Sequence, residues 1–174
     1  MDQRPIGIFD SGLGGLTAVR EVQRTAPRED IVYFGDTGRV PYGTRGRETI
    51  IRYAKQDARF LLSHHVKLLL IACGTISSVA MEEISGMCDI PVLGVLESAA
   101  QEAASATKNG KIGVIGTNAT ISSGSYERLL KKLLPQAEIL SEPCPLFVPL
   151  VENGRFRPED RVARLVAEEY LAPI

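Results

Sequence analysis

The sequence has no tryptophan, only two histidines and only three cysteines among its 174 residues. Cys73, Cys88 and Cys144 form neither a C-x-x-C pair nor an even set, so we expect neither a disulfide framework nor a structural zinc site. His64 and His65 are adjacent at the end of a predicted helix, where neighbouring positions do not share a face. We therefore predict no metal ion and expect both histidines to have no catalytic part.

The chain also has no long apolar run and no excess of charge of one sign. No apolar run approaches the roughly 20 residues that span a bilayer, and the opening residues lack the layout of a secretion signal. A net charge of -1 and a pI near 6.2 give no electrostatic reason to expect nucleic acid or an anionic membrane as a partner. We expect a cytoplasmic globular protein with one core, or two smaller ones of about 90 residues each.

What the chain does have is an alternation of short apolar runs with amphipathic segments. Strands are predicted at 5–9, 31–34, 67–72, 91–95, 111–116 and 137–141. Helices are predicted at 15–26, 47–63, from the segment after Cys73 to about Cys88, 96–107, 122–134 and 158–171, with a Pro-rich loop over 143–149. This alternation predicts an α/β fold with mainly parallel sheets.

The alternation restarts near residues 95–99, which divides the chain into two similar doubly wound α/β domains. We place the first domain over 1–96 and the second over 97–174. A helix in a parallel sheet normally returns the chain to another strand, and the helix at 158–171 has none after it. We therefore expect the second domain to be incomplete.

Three loops follow the strands of the first half, at 10–15, 35–43 and 73–75. If the strands are parallel, these loops converge on one crevice that holds a carboxylate, hydroxyls, a phenol and a thiol. Backbone amides of a Gly-rich turn that enters a helix suit an anionic substrate group. Gly12-x-Gly14-Gly15 does not match G-x-G-x-x-G, and there is no G-x-x-x-x-G-K-[ST], so a nucleotide is weakly supported.

Cys73 is the most informative residue of this crevice. It follows the apolar run 66–72 and precedes a predicted helix start, and a helix N-terminus favours thiolate over thiol. The alternative is that an unpaired cysteine is simply a small buried hydrophobe. A thiolate near the carboxylate of Asp10 would be suited to proton transfer.

Three other chemistries are weaker. Asp10 could form an aspartyl-phosphate, but Gly12 stands where such sites usually carry a second acid. Ser11 as a nucleophile needs a histidine base, and G-x-S-x-G is absent. A cysteine hydrolase meets the same difficulty, because no histidine follows His65. Acid/base catalysis by Cys73 therefore leads among these alternatives.

Five segments closely resemble the hallmark segments of bacterial glutamate racemases, in family order and at family spacing. They are GIFDSGLGGLT at 7–17, YFGDTGRVPYG at 33–43, ACGT at 72–75, IGVIGTNAT at 112–120 and CPLFVPLVE at 144–152. The resemblance implies a cofactor-independent isomerase that interconverts L- and D-glutamate for peptidoglycan synthesis in the cytoplasm. It also implies one cysteine on each face of the α-carbon, glutamate as the small-molecule partner, and a homodimer as one expected assembly.

The resemblance assigns roles to individual residues. Cys73 would be the first acid/base, Asp10 would assist its proton transfers, and Glu152 would be the acid near the second cysteine. The residues implied in substrate binding are Ser11, Pro41, Tyr42, Gly43, Gly74, Thr75, Thr117 and Thr120.

The chain departs from the family pattern in two ways. Gly74 stands where the family usually has asparagine. The family continues into a Gly-Cys-Thr-His segment that carries the second cysteine, and these 174 residues do not include it. We therefore expect the isolated chain not to turn over. A non-catalytic glutamate-binding or self-associating module is the main alternative, and an Asp-based phosphotransferase is a weaker one.

Overall fold

The computed structural model describes residues 2–174 and contains two parallel sheets. The four strands of the first sheet are β1 (Ile6–Asp10), β2 (Ile31–Gly35), β3 (Leu68–Ile71) and β4 (Val92–Gly94). Their order is β2-β1-β3-β4, and every neighbouring pair is parallel. The second sheet pairs β5 (Lys111–Gly116) with β6 (Glu138–Pro143), also in parallel. The predicted α/β fold with mainly parallel sheets is thus confirmed.

Nine helices connect or follow these strands within residues 2–174. They are α1 (Leu16–Thr25), α2 (Arg47–Leu62), α3 (Gly74–Val79), α4 (Met81–Ser85), α5 (Val95–Ala106), α6 (Asn118–Ser122), α7 (Ser125–Leu133), α8 (Phe147–Glu152) and α9 (Arg161–Leu171). Helix α5 begins directly after β4, so the predicted domain boundary at 96 and 97 falls in its first turn. The division into two domains stays a prediction.

The larger core lies between the first sheet and helix α2. Ile50, Ala54, Ala58 and Leu61 recur at intervals of three or four residues, which places them on one face of α2, and all are fully buried. They pack with Phe9, Leu69 and Ile71 of the sheet. The second core is smaller and is built on Ala100, Val114 and Leu130, with helices α5 and α7 packed against each other beside the second sheet.

Three local predictions are wrong. The helix expected from residue 74 to about 88 is two helices, because buried Ala80 leaves the helical conformation with φ -126° and ψ 7°. The helix expected to start at 122 begins only at Ser125 as α7, after Gly124 at φ +65°, a conformation that favours glycine, and helix α6 before it was not predicted. Helix α8 lies partly in the predicted Pro-rich loop, since Pro149 falls in its first turn, where the missing N–H has no partner to lose.

Across residues 2–174 no helix combines the length and the apolar character that crossing a bilayer requires.

Candidate active site

The order of the first sheet opens a crevice between the ends of β1 and β3. The chain leaves β1 for β2 on one side and later enters β3 on the other side, which is the topological switch point where open α/β sheets bind ligands. Phe9 of β1 pairs with Ile71 of β3, so the residues that follow both strands emerge side by side. The loops at 10–15 and 73–75 therefore meet at this edge of the sheet.

Cys73 lies at the bottom of this crevice and caps the start of α3. Its side chain is only 6% exposed, and its Sγ accepts a hydrogen bond from the backbone N–H of Ile76 at 3.5 Å. Ser11 follows β1, and its Oγ lies 3.2 Å from Cys73 Sγ. The thiol is thus held by one residue of each loop.

The prediction that the helix start favours thiolate at Cys73 is wrong for the unliganded protein. Burial raises the pKa of the Cys73 thiol, and the negative charge of Asp10 raises it further. Hydrogen bonds from Ser11 and from the Ile76 N–H lower the pKa of this thiol, but by less. Helix α3 has only six residues, so its dipole is weak against the desolvation of a buried thiolate. The resting form of Cys73 is the neutral thiol.

Asp10 ends β1 and is held by the Gly-rich turn that follows it. Its Oδ2 accepts a hydrogen bond from the backbone N–H of Gly15 at 2.8 Å, and the side chain is buried. A Cβ at position 15 would lie 2.7 Å from the Asp10 Cβ, closer than real Cβ atoms approach, so this turn requires glycine. The carboxylate is close enough to Cys73 to raise the pKa of its thiol, which places the two predicted catalytic groups together.

Tyr33 is a residue of this site that the sequence analysis missed. It belongs to β2, and its hydroxyl donates a hydrogen bond to the carbonyl of Gly12 at 3.1 Å. Burial, followed by the charge of Asp10, raises the pKa of Tyr33 to about 12, so the phenol stays a donor. The feature of the sequence that could have identified Tyr33 as a site residue is its polar hydroxyl in an otherwise apolar strand.

Three threonine hydroxyls form a cluster that begins two residues after Cys73. Thr75 Oγ1 lies 3.0 Å from Thr117 Oγ1, and Thr117 Oγ1 lies 3.0 Å from Thr120 Oγ1. Thr120 also reaches Thr75, with 3.4 Å between the two oxygens. Thr75 belongs to α3 and the other two lie at the start of α6, so the three hydroxyls link the two halves of the chain next to Cys73.

The segment from Pro41 to Gly43 runs beside these threonines. A Cβ at Gly43 would lie 2.4 Å from the Thr117 Cβ, so the absence of a side chain permits this close approach. The Tyr42 ring is buried, and its hydroxyl points to Asp36 and Asp57. The phenol of Tyr42 is thereby occupied, which leaves the backbone of Tyr42 for contact with a ligand.

Gly74 and Glu152 are the remaining predicted site residues. A Cβ at Gly74 would meet no atom within 4 Å, so there is open space where the family usually carries a side chain. Glu152 is exposed at the end of α8, and its Oε1 would lie 3.3 Å from a Cβ built on Gly12. Glu152 therefore stands at the rim, beside the loop that carries Asp10 and Ser11.

The other two thiols are engaged elsewhere. Cys88 packs against the larger core, and the Cys144 thiol donates to the Glu142 carbonyl at 3.6 Å. Among residues 2–174 no group of three or more His, Cys, Asp and Glu side chains is arranged to hold a metal ion. The chemistry that the described residues offer is proton transfer by a buried thiol, with a carboxylate beside it and hydroxyl donors around it.

Comparison with known proteins gives one family. The model of the Asp/Glu/Hydantoin racemase family matches residues 10–169. Glutamate racemase from Geobacter metallireducens is 47% identical over 172 residues, which is 99% of this chain and 63% of that protein. Glutamate racemase from Persephonella marina is 50% identical over 169 residues, which is 97% of this chain and 64% of that protein.

Solved structures agree with this result. The crystal structure of glutamate racemase from Francisella tularensis in complex with D-glutamate superposes with a TM-score of 0.93 at 42% identity. The superposition covers 99% of this chain and 64% of that chain. The chain thus spans less than two thirds of the length of these relatives.

Proposed function

Because the chain belongs to the Asp/Glu/Hydantoin racemase family, we propose that its crevice binds glutamate and that the protein interconverts L- and D-glutamate. The observation that carries this proposal is the Cys73 thiol at the switch point of a parallel sheet, in contact with Ser11 and within range of the charge of Asp10. The relatives named glutamate racemase, and the one solved with D-glutamate, support glutamate as the substrate. The proposal includes a cytoplasmic role in supplying D-glutamate for peptidoglycan.

The proposed chemical step is removal of the α-proton by the Cys73 thiolate. The Cα–H bond breaks, its electron pair stays on the α-carbon and its carboxylate as a carbanion, and the proton forms an S–H bond. The thiol that the family resemblance places on the opposite face then gives its proton to the α-carbon, so that its S–H bond breaks, a new Cα–H bond forms and the other enantiomer results. Asp10 accepts the proton that Cys73 must first lose, and Glu152, which lies at the rim, serves the opposite face.

A bound amino acid would itself activate the thiol. The resting Cys73 is neutral because burial and Asp10 raise its pKa. The ammonium group of glutamate carries a positive charge, and a positive charge within a few ångströms favours the charged form of a thiol. Thiolate formation is therefore coupled to substrate binding.

The hydroxyls and backbone groups around the crevice suit the rest of glutamate. Ser11, Thr75, Thr117 and Thr120 supply hydroxyls that donate to carboxylate oxygens. Pro41, Tyr42, Gly43 and Gly74 supply backbone rather than side-chain contacts. Charge-assisted hydrogen bonds of this kind are stronger than neutral ones, which fits a dicarboxylate ligand.

The test is exchange of the glutamate α-hydrogen in D₂O, followed by ¹H NMR with each enantiomer and the 174-residue chain. We expect one enantiomer to lose its α-hydrogen signal, with no accumulation of the other enantiomer, because one thiolate serves one face. Replacing Cys73 by serine should slow this exchange by about 100-fold or more. With glutamate well below saturation the rate should rise with pH on the alkaline side of neutrality, because the pKa of the thiol in the unliganded protein lies above its usual value.

Cys88→Ser is the matched control, since Cys88 packs against the core away from this chemistry, and its exchange rate should equal that of the wild type. Equal exchange in wild type and Cys73→Ser would contradict the proposal. Glutamate binding without any exchange would instead support the non-catalytic binding module.

A further inference from the structure

A buried polar cluster lies behind the crevice and has no part in the chemistry above. It consists of Asp36 at the end of β2, Arg39 and Tyr42 in the loop that follows, and Asp57 on α2. Tyr42 and Asp57 are each 1% exposed, and Asp36 is 6% exposed. Carboxylates are almost never this deeply buried unless they are paired, so the contacts within the cluster require an account.

Each of the two carboxylates contacts both Tyr42 and Arg39. The Tyr42 hydroxyl donates to Asp36 Oδ2 and lies 3.0 Å from Asp57 Oδ2. Arg39 Nε lies 2.6 Å from Asp36 Oδ2, and Arg39 Nη2 lies 2.7 Å from Asp57 Oδ1. The cluster therefore ties the loop 36–43 to the buried face of helix α2.

The hydrogens of the cluster can be counted. A phenol has one hydrogen, so Tyr42 donates to one carboxylate at a time, and Arg39 supplies one positive charge for two carboxylates. A proton on Asp57 supplies the missing hydrogen, because the neutral carboxyl of Asp57 donates to the Tyr42 oxygen while the Tyr42 hydroxyl donates to Asp36. Burial, together with the charge of Asp36, raises the pKa of Asp57 to about 6 against the opposing effects of Tyr42 and Arg39.

The cluster ends where the crevice wall begins. Gly43 follows Tyr42 directly, and its carbonyl accepts a hydrogen bond from the Ala119 N–H at 3.0 Å. The Tyr42 carbonyl accepts one from the Arg45 N–H at 2.9 Å. Thr117, which contacts Thr75 beside Cys73, packs directly against Gly43.

We propose that Asp57 and Tyr42 are positioning residues. The neutral carboxyl of Asp57 holds the Tyr42 hydroxyl, and this fixes the Tyr42–Gly43 backbone against Thr117 and Ala119. The threonine hydroxyls beside Cys73 thereby keep their places. The inference rests on the proposed function only for the identity of the ligand, because the positioning itself is a property of the unliganded chain.

Ionisation of Asp57 should release this segment. The titratable and charged groups that face Asp57 are Asp36, Arg39 and Tyr42, all from the loop after β2. The guanidinium carbon of Arg39 lies 4.4 Å from the centre of the Tyr53 ring, which belongs to α2. Arg47, which pairs with Glu83 of α4, lies ten residues away on α2, about 15 Å along the helix axis.

The test is amide hydrogen exchange of the unliganded chain, read residue by residue by NMR. The Ala119 and Arg45 amides report on the Gly43 and Tyr42 carbonyls, and the Ala72 amide, which donates to the Phe9 carbonyl, is the internal reference. At about pH 5, where Asp57 is neutral, we expect Asp57→Leu and Tyr42→Phe to speed exchange of the reporter amides relative to Ala72 by about tenfold. Asp57→Asn should keep the wild-type ratio, because its amide can donate to Tyr42 and its oxygen can accept from Arg39.

The pH profile separates positioning from general stabilisation. In the wild type the exchange rate of the reporter amides divided by that of Ala72, the exchange ratio, should rise as the pH increases from about 5 to about 7. In Asp57→Asn this ratio should not change with pH. Ile84→Val, a buried change on α4 outside the cluster, should leave the ratio unchanged even where it lowers global stability. An unchanged ratio in Tyr42→Phe would overturn the proposal, and so would a pH-dependent ratio in Asp57→Asn.

Calorimetric titration with D- and L-glutamate then connects the positioning to the ligand. At about pH 5, where Asp57 is neutral, Asp57→Leu and Tyr42→Phe should bind more weakly than the wild type by about tenfold, and Asp57→Asn should bind like the wild type. If the wild type binds neither enantiomer, the proposed function fails while the exchange ratios still decide the positioning role. If the wild type binds and all variants bind equally, the link from the cluster to the crevice is wrong.

Discussion

The residue that defines the site, Cys73, is subject to two opposed effects. Its place at the start of α3 and the hydrogen bonds from Ser11 and the Ile76 N–H favour the thiolate. Burial and the charge of Asp10 disfavour it, and they prevail. A thiol that is neutral at rest is protected from oxidation and becomes reactive only when a ligand supplies a positive charge.

At Gly74 we predict that asparagine strengthens glutamate binding. A Cβ at this position meets no atom within 4 Å, so the asparagine side chain can start without a clash, and its amide supplies a donor for a ligand. One such hydrogen bond contributes about 0.5–1.5 kcal/mol, which corresponds to roughly two- to tenfold in affinity. Calorimetric titration of Gly74→Asn with D- and L-glutamate measures this gain.

Gly46→Asn provides the control for the asparagine substitution. A Cβ at Gly46 also meets nothing within 4 Å, and the position precedes α2 outside the crevice. Its affinity for glutamate should equal that of the wild type. A Gly74→Asn protein that binds no better than the wild type would show that backbone groups already satisfy the ligand at this position.

At the scale of elements, the two halves of the chain meet through one loop and two short helices. The loop after β2 carries Gly43 to within contact of Thr117, at the start of α6, and Thr117 in turn reaches Thr75 of α3. Short helices of five or six residues have little stability of their own, so these contacts hold them in place.

We predict that Gly43→Ala separates these elements and destabilises the protein. The new Cβ would lie 2.4 Å from the Thr117 Cβ, and overpacking of this kind costs about 1–3 kcal/mol. Urea unfolding should show the loss, and glutamate affinity should fall with it. In the matched control Gly38→Ala the added Cβ meets no atom, so the free energy of unfolding should change by less than about 0.5 kcal/mol. Equal stability of the two variants would refute the close-approach argument.

At the scale of the whole molecule, the two cores are unequal. The core between the first sheet and α2 is the larger, whereas the core of the second sheet is built on three buried residues. Helix α2 contributes to the larger core both its apolar face and the buried Asp57. The stability of the larger core is therefore sensitive to pH.

We predict that Asp57 lowers the stability of the protein as pH rises. The unfolded chain ionises Asp57 at its usual pKa of 3.8, and the folded chain does so only near 6. Its contribution is fully present below pH 3.8 and is lost as pH rises to about 6, by at most about 3 kcal/mol.

Urea unfolding of the wild type and Asp57→Asn at several pH values between 4 and 7 isolates this contribution. The difference in the free energy of unfolding, wild type minus variant, should fall across that window, because asparagine does not ionise. A difference that stays constant with pH would contradict the raised pKa of Asp57.

Much of this protein was predictable from local sequence. The strands were predictable because each is a short apolar run, and helix α2 because its apolar residues recur at helical spacing. The break at Ala80 was not, since no glycine or proline marks it and the packing of α3 and α4 decides it. Asp57 carried a signal that went unread, a carboxylate on the apolar face of a helix.

The sequence by itself determined which chemical groups follow the strands and, through its resemblance to glutamate racemases, the family that the comparisons confirm. Only the tertiary structure decided which groups meet. The strand order β2-β1-β3-β4 brings Ser11 to Cys73, 62 positions apart, and the packing of α6 brings Thr117 to Thr75, 42 positions apart. Periodicity and turn chemistry act over a few residues, whereas contacts at such separations depend on burial of the whole core.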